Sequence, residues 1–212
     1  MTSSIRLKSA AAGIAAGVLA SACALMAPQE ERYTPPPVGT TYERDIRATG
    51  SFGKSYRESS KYTGMRNVMG RPMHVHERST GQSSMLVPEG GWVGEFKGDK
   101  PIFTLDPPHG IGFPIKVGKT VSRDVRLTLH AQNRVIPFKA TWKVEAYEEV
   151  TVPAGTFKTF RVAYEDTNGT QGTWWRDPRN GIFVKWSARR TEKHPQGPGT
   201  QDAELVKVNV EQ

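Results

Sequence analysis

The sequence predicts an all-β domain, a single curved antiparallel sheet or partly open β-barrel over residues 40–212. Three observations carry this. Residues 140–152 alternate in period two, with Ala140, Trp142, Val144, Ala146, Val150 and Val152 on one parity and Thr141, Lys143, Glu145, Glu149 and Thr151 on the other. That is the period of a half-buried strand. Glycine- and proline-bearing turn signals recur at short intervals. No amphipathic helix and no repeat of fixed period occurs after the N-terminal segment.

The chain begins with a basic stretch holding Arg6 and Lys8, then an apolar run over residues 10–22, then small residues, Ala20-Ser21-Ala22. This is the layout of a secretory signal, assigned to residues 1–22. The one cysteine, Cys23, comes directly after it. It resembles the lipobox cysteine of bacterial lipoproteins, whose thiol is acylated and becomes the first mature residue. The resemblance implies lipidation at Cys23 and attachment to a membrane through that anchor. Ala24 in second position implies the outer membrane, facing the periplasm, where the host has one. The same stretch also fits cleavage by an ordinary signal peptidase, or an apolar helix left in the membrane. Residues 23–39, with Pro35-Pro36-Pro37, read as a stiff, extended tether between anchor and domain.

Residues 41–80 contain weak strand signals interrupted by Gly50, Gly53, Gly64 and Gly70, and residues 101–118, with four prolines and three glycines, predict a long irregular loop. Val121, Val125, Leu127 and Leu129 share a parity opposed by Ser122, Asp124, Arg126 and Thr128, a further half-buried strand. After residue 152, Pro153-Ala154-Gly155-Thr156 supplies a corner, and Phe160, Val162 and Tyr164 face one way on the return strand, which makes a hairpin. Residues 172–176 and 181–187 are short strands around the turn-forming Asp177-Pro178-Arg179-Asn180. Val206, Val208 and Val210 form the apolar face of the last one.

Basic residues number 29 and acidic ones 21, a formal charge of +8, which falls to +6 without Arg6 and Lys8. The excess is spread rather than gathered in a tract. No nucleic-acid partner is expected, and peptidoglycan or an envelope protein are better candidates for a mildly cationic exported domain. With a single cysteine the domain holds no internal disulfide.

Chemistry is sparse. His74 and His76 share one face of a strand and are a candidate ligand pair for zinc or copper, but the spacing of His109, His130, His194 and Glu77 nominates no third ligand. A solvated histidine face opposite Met73 and Val75 is the simpler reading, and neither metal nor cofactor is expected. Glu148 is the one carboxylate on an otherwise apolar strand face, which marks it as the candidate acid of a hydrolase, or as a group at the sheet rim or paired with a lysine or arginine. No Gly-x-Ser-x-Gly motif and no phosphate-binding glycine loop is present. Trp142, Trp174, Trp175 and Trp186 are candidates for a ligand groove, since clustered indoles bind apolar surfaces; filling the wide core of a curved sheet is the simpler reading. The adjacent pair Trp174 and Trp175 must point to opposite faces of a strand.

Three phrases, residues 113–120 (Phe-Pro-Ile-Lys-Val-Gly-Lys-Thr), residues 150–157 (Val-Thr-Val-Pro-Ala-Gly-Thr-Phe) and residues 172–185 around Trp174-Trp175, resemble the DUF3108-like and TapB-like exported envelope proteins. The resemblance covers roughly residues 110–190. It implies a curved sheet with a Val-Pro-Ala-Gly-Thr-Phe corner and attaches no catalytic residue to the pattern. Together the features point to an envelope lipoprotein whose non-catalytic β-domain binds an amphiphilic ligand or an envelope partner. The alternatives are a periplasmic hydrolase dependent on a metal or a carboxylate, and a structural protein that contacts peptidoglycan.

Overall fold

A computed structural model describes residues 30–210; Cys23 and the signal segment lie outside the described residues. Twelve strands occur in chain order: β1 (Thr41–Gly50), β2 (Tyr56–Val68), β3 (Arg71–Arg78), β4 (Ser83–Leu86), β5 (Trp92–Lys97), β6 (Lys100–His109), β7 (Thr120–Leu129), β8 (Arg134–Val152), β9 (Gly155–Asp166), β10 (Thr170–Arg176), β11 (Phe183–Arg190) and β12 (Gly199–Asn209). Each pairs antiparallel with its neighbours in sequence, and β1 closes the ring on β12, with Thr41 opposite Asn209 and Gly50 opposite Gly199. The sheet is closed rather than partly open, and closure removes the exposed edges along which open sheets aggregate.

The alternation in β7–β9 is the one the sequence predicts. Val125, Ala140, Trp142, Val144, Phe160, Val162 and Tyr164 are all under 9% exposed and form the main interior cluster. Asp124, Arg126, Lys143 and Glu165 on the other parity are exposed. An apolar inside and a charged outside is the reverse of a membrane-spanning barrel. Among the described residues no helix is long and apolar enough to cross a membrane.

β-Bulges revise three readings. The register of β8 against β9 passes from Val144–Val162 to Ala146–Arg161, so Glu145 is an extra residue. An extra residue switches the facing of everything beyond it. Tyr147 therefore turns inward onto Phe160, with ring centroids 5.0 Å apart, and Glu148 turns outward. In β12 the extra residue is Val206: Leu205 opposes Arg44 and Lys207 opposes Glu43. The buried face is Ala203 and Leu205, each 1% exposed, while Val210 is 54% exposed and lies past the strand end. Gly64, at φ +100°, stands just after the bulge in β2 and carries a continuous strand through what the sequence alone presents as a break.

The predicted loop over residues 101–118 is half strand. Residues 100–109 form β6, whose pairing with β5 and β7 is irregular enough to seat three prolines. Only residues 110–119 are irregular, and they fold into the core: Ile111 and Ile115 are fully buried and Phe113 is 8% exposed. Part of the segment read as a tether is docked against this loop. Glu31 and Ile115 exchange backbone hydrogen bonds of 3.0 and 2.9 Å, and the amide of Thr34 donates to the carbonyl of Arg179 at 2.9 Å. At one end of the ring, the corner at Pro153-Ala154 joins the Val152–Gly155 pair. Val150, Val152 and Phe157 then pack on Tyr42, Val184 and Leu205.

Candidate functional site

The interior divides into two linings. The first is aromatic. His109, from the end of β6, stands edge-on to Trp142 at 4.9 Å and to Tyr164 at 5.4 Å. Trp142 packs on Tyr164 at 4.2 Å and on Trp174 at 5.4 Å. The indole of Trp174 lies over Gly172, where a Cβ would sit 2.8 Å from its ring, so glycine is what admits the ring. Tyr164 donates to Asp166 Oδ2 at 2.6 Å. Burial is the main force holding His109 down to about 4, below the ordinary histidine value; it is a neutral core ring at pH 7.

The second lining is polar and comes from β1–β5. Arg78 joins two acids, donating from Nε to Glu58 Oε2 at 2.7 Å and from Nη1 to Glu95 Oε1 at 3.1 Å. Ser84 donates to the same Glu95 oxygen. Glu58 and Glu95 are 6% and 5% exposed. Tyr62 OH meets His74 Nδ1 at 2.8 Å, and a backbone hydrogen bond at Pro88 holds the ring of His74 as well. His76 stacks obliquely on Tyr62 at 5.1 Å. Desolvation first, then the charge of Arg44, pushes His76 down to about 3.

The histidine pair does share a face, as its spacing requires, but that face is the barrel interior and not water. Met73 and Val75, on the opposite face, are fully buried too, so β3 is covered on both sides. Among the described residues no three His, Cys, Asp or Glu side chains gather into a metal-binding set.

The four candidate tryptophans are not brought into one groove. Trp142 is 7% exposed and Trp174 half-buried beside it on the inner surface. Trp186 also faces inward, but across the pairing of β10 and β11. Its ring meets the Arg44 guanidinium at 5.9 Å, and its Nε1 donates to Gln201 at 3.1 Å. Trp175 faces outward, where its Nε1 donates to Glu148 Oε1 at 2.7 Å and Lys185 Nζ lies 5.8 Å from its ring. Glu148 also accepts from Arg161 Nη1 at 3.1 Å. It is an outer-surface carboxylate in a polar cluster, on the far side of the wall from His74 and His76. The two candidate catalytic features therefore do not converge. Sequence reasoning misses the buried residues Arg44, Glu58, Glu95 and Arg176 and the half-buried Arg78 that joins the two acids; the usual rule sends such residues outward.

No family model matches the chain, and no curated protein matches it. Solved structures similar to it include a protein from Parabacteroides distasonis ATCC 8503 described as a lipoprotein, at 12% identity over 84% of this chain and 98% of that one, with a TM-score of 0.47. An exported protein with a YmcC-like fold from Bacteroides fragilis NCTC 9343 is similar at 14% identity over 84% and 99%, with a TM-score of 0.47. The hypothetical lipoprotein YmcC from Escherichia coli is similar at 13% identity over 80% and 84%, with a TM-score of 0.44. These likenesses are too loose to carry any role over to this chain.

Proposed function

We propose that this chain is a lipid-anchored protein of the bacterial cell envelope, attached through Cys23 to the outer membrane and facing the periplasm. Its barrel is a non-catalytic module that binds an amphiphilic molecule or an envelope partner. The observation that carries the binding part is the pair Trp174 and Trp186. Both face the interior and both are only half-buried, so apolar surface inside the ring stays within reach of a ligand. The anchor rests on the basic start, the apolar run and the small residues before Cys23.

Two experiments test the reading. Native mass spectrometry of protein purified from its host should show a retained molecule, or a pull-down should recover a partner; a clean apo mass together with an empty pull-down removes the binding reading. A Cys23→Ser variant should appear in the soluble periplasmic fraction or keep its signal uncut. One acyl chain gives only marginal residence, and stable anchoring takes more than one. If the variant loses its signal and still sediments with membranes, the lipid anchor is not what holds it there.

A further inference from the structure

Among the described residues, two buried guanidiniums lie inside the barrel without a carboxylate in contact. Arg44, on β1, is 9% exposed, and Arg176, at the end of β10, is 5% exposed. Arg44 Nε donates to the carbonyl of Phe183 at 3.2 Å and its Nη1 to Ser60 Oγ at 3.4 Å. Arg176 donates one hydrogen bond to the described residues, from Nε to the carbonyl of Gly181 at 3.4 Å. Their other neighbours are ring faces: Tyr42 at 5.6 Å from Arg44, and Phe113 and Phe183 each at 5.2 Å from Arg176. A guanidinium carries five N–H donors, so most of these are unanswered by the described protein groups.

The nearby acids are committed elsewhere. Glu58 is hydrogen-bonded to Arg78, and its charge also reaches Arg44 across the β1–β2 pair without a contact. Asp177 Oδ1 accepts the amides of Arg179 and Asn180 at 2.9 and 3.2 Å, and its Oδ2 faces the Arg179 guanidinium at 3.8 Å. Two phenols stand beside the guanidiniums. The hydroxyls of Tyr33 and Tyr42 are buried and have no hydrogen-bond partner among the described residues. Tyr33 is within electrostatic reach of Arg176, and Tyr42 of Arg44 and Tyr33. Burial raises both phenols above their ordinary range, so they are O–H donors at every physiological pH. Buried polar groups are bonded in the great majority of cases, and a buried charge without a partner costs several kcal/mol, roughly. Two phenols without a hydrogen-bond partner and two guanidiniums without a carboxylate contact, all of them donors, share one missing complement.

We propose that Arg44, Arg176, Tyr33 and Tyr42 form an internal seat for one oxyanion group, a carboxylate or a phosphate, held inside the barrel. Guanidinium forks match both shapes, and phenol hydroxyls supply neutral donors on the flank. Water supplies acceptors but no counter-charge for Arg176. The seat lies one ring from the surface. Phe113 touches Arg176 and, at 5.3 Å, Tyr33. It also lines an open recess of about 290 Å³ in which Lys119 and Arg123 stand. Tyr33 itself is carried by the docked segment, held by the Glu31, Ile115 and Thr34 backbone bonds. The seat does not depend on the anchor or on the binding reading above, since an inorganic ion would satisfy the same donors.

The test is thermal unfolding of the purified full chain at fixed ionic strength set with sodium chloride. Four probes are titrated: inorganic phosphate and acetate as free ions, and monododecyl phosphate and laurate, below micelle-forming concentrations, as the same groups on an alkyl tail. A saturable rise in Tm with at least one probe is expected. Arg176→Met should abolish it while unfolding, without probe, no earlier than the parent, because removing an unpaired buried charge is not destabilising. Tyr42→Phe, which keeps the ring and its packing, should weaken the apparent affinity about tenfold, as the loss of one charge-assisted hydrogen bond does, and carries the test if Arg176→Met does not fold. Free ions matching the alkyl probes identify a small ion as the occupant; a response to the alkyl probes alone identifies the head of an amphiphile. No saturable shift with any probe, or an unchanged shift in either variant, overturns the seat.

Discussion

Strands β1–β5 and strands β7–β9 are two arcs of one ring, and they fill it with opposite chemistry. Inside β7–β9 stand Val125, Trp142, Val144, Phe160, Val162 and Tyr164. Inside β2–β5 stand Glu58, Ser60, Tyr62, His74, Arg78 and Glu95, while β1 adds Arg44 among the apolar Tyr42, Ile46 and Ala48. A wide ring needs filling, and aliphatic and aromatic volume fills it with no demand for partners. A charged lining fills it only where charges are paired, and Arg78 pairs with both Glu58 and Glu95, although Glu95 Oε2 has no hydrogen-bond partner among the described residues. The aromatic arc therefore draws its stability from area buried, and the polar arc from ion pairing within a network. The two should fail differently.

The sharpest break of that comparison is a single cut in the network. Glu58→Ala leaves Arg78 short of one buried acid and should cost about 3–5 kcal/mol in urea unfolding. Arg78→Met alone orphans both acids, and adding Glu58→Leu should restore part of that loss, leaving the unpaired Glu95 as the remaining cost. In the aromatic arc, Phe160→Ala should cost a similar 3–5 kcal/mol, roughly, through cavity and transfer terms, with no second substitution that restores it so simply. A non-additive pair in one arc and a plain loss in the other would establish the contrast. Additivity between Glu58 and Arg78 would remove it.

That contrast also explains what the sequence can show. The alternation of β7–β9, the hairpin at residues 152–155 and the face of Phe160, Val162 and Tyr164 are legible because their inside is apolar. The strands over residues 41–78 look weak in sequence because polar residues stand on their inner face, Arg44 in β1, Glu58 and Ser60 in β2 and the histidines in β3, and because glycines interrupt them. For the same reason the sequence alone sends His74 and His76 to water. Bulges are the other loss: nothing in the residues around Glu145 or Val206 announces an extra residue, yet each reverses the facing of the residues beyond it. Of the candidate site, Trp142, Trp174 and Trp186 are placed inside, and Trp175 outside, as adjacency to Trp174 demands. The cationic pair Arg44 and Arg176 is invisible in sequence, since each sits among neighbours typical of an exposed position. Of the phrases that resemble exported envelope proteins, the Val-Pro-Ala-Gly-Thr-Phe corner joins β8 to β9 and the tryptophan phrase runs along β10 into β11.

Acid should sharpen the comparison next. His109 in the aromatic arc is held down to about 4 and His76 in the polar arc to about 3, in both cases mainly by burial. The unfolded chain has ordinary histidines near 6.5, so below about pH 6.5 it binds protons that the folded protein refuses. Stability from each ring is complete above that pH and is lost as pH falls toward the folded value. The slope is about 1.4 kcal/mol per pH unit for each ring. Urea midpoints between pH 6 and pH 4.5 should therefore fall less steeply for His109→Phe and for His76→Phe than for the parent. The remedy should be cleaner for His109, whose neighbours Trp142, Tyr164 and Phe138 welcome a ring. At position 76 phenylalanine meets Arg44, which gains nothing from the change. Equal pH slopes for parent and both variants would mean that neither ring is kept neutral by the fold.

A smaller effect comes from the glycine under Trp174. Gly172→Ala places a Cβ 2.5 Å from the Ser187 carbonyl oxygen and 2.8 Å from the indole, and overpacking of this kind costs about 1–3 kcal/mol. The ring must shift, so the near-ultraviolet circular dichroism of the aromatic arc should change along with the urea midpoint. A midpoint loss with an unchanged spectrum would place the strain in the backbone alone.

The smallest expected effect belongs to the outer surface beside that same ring. Glu148 meets Arg161 and Trp175 there, with its side chain 33% exposed and that of Arg161 37% exposed. Water screens both partners, and ion pairs of this exposure are worth about 0–1 kcal/mol. Glu148→Gln keeps an acceptor for the Trp175 Nε1 and removes the charge, so urea unfolding should move by less than about 1 kcal/mol. Trp174→Ala, one residue from Trp175 but on the inner face, should cost about 3 kcal/mol or more, since it empties part of the stack with Trp142 and Tyr164. The ratio of those two losses measures which face each residue occupies. Were Glu148→Gln to cost as much as Trp174→Ala, Glu148 would have to lie on the inner face, and the bulge at Glu145 that turns it outward would be misplaced.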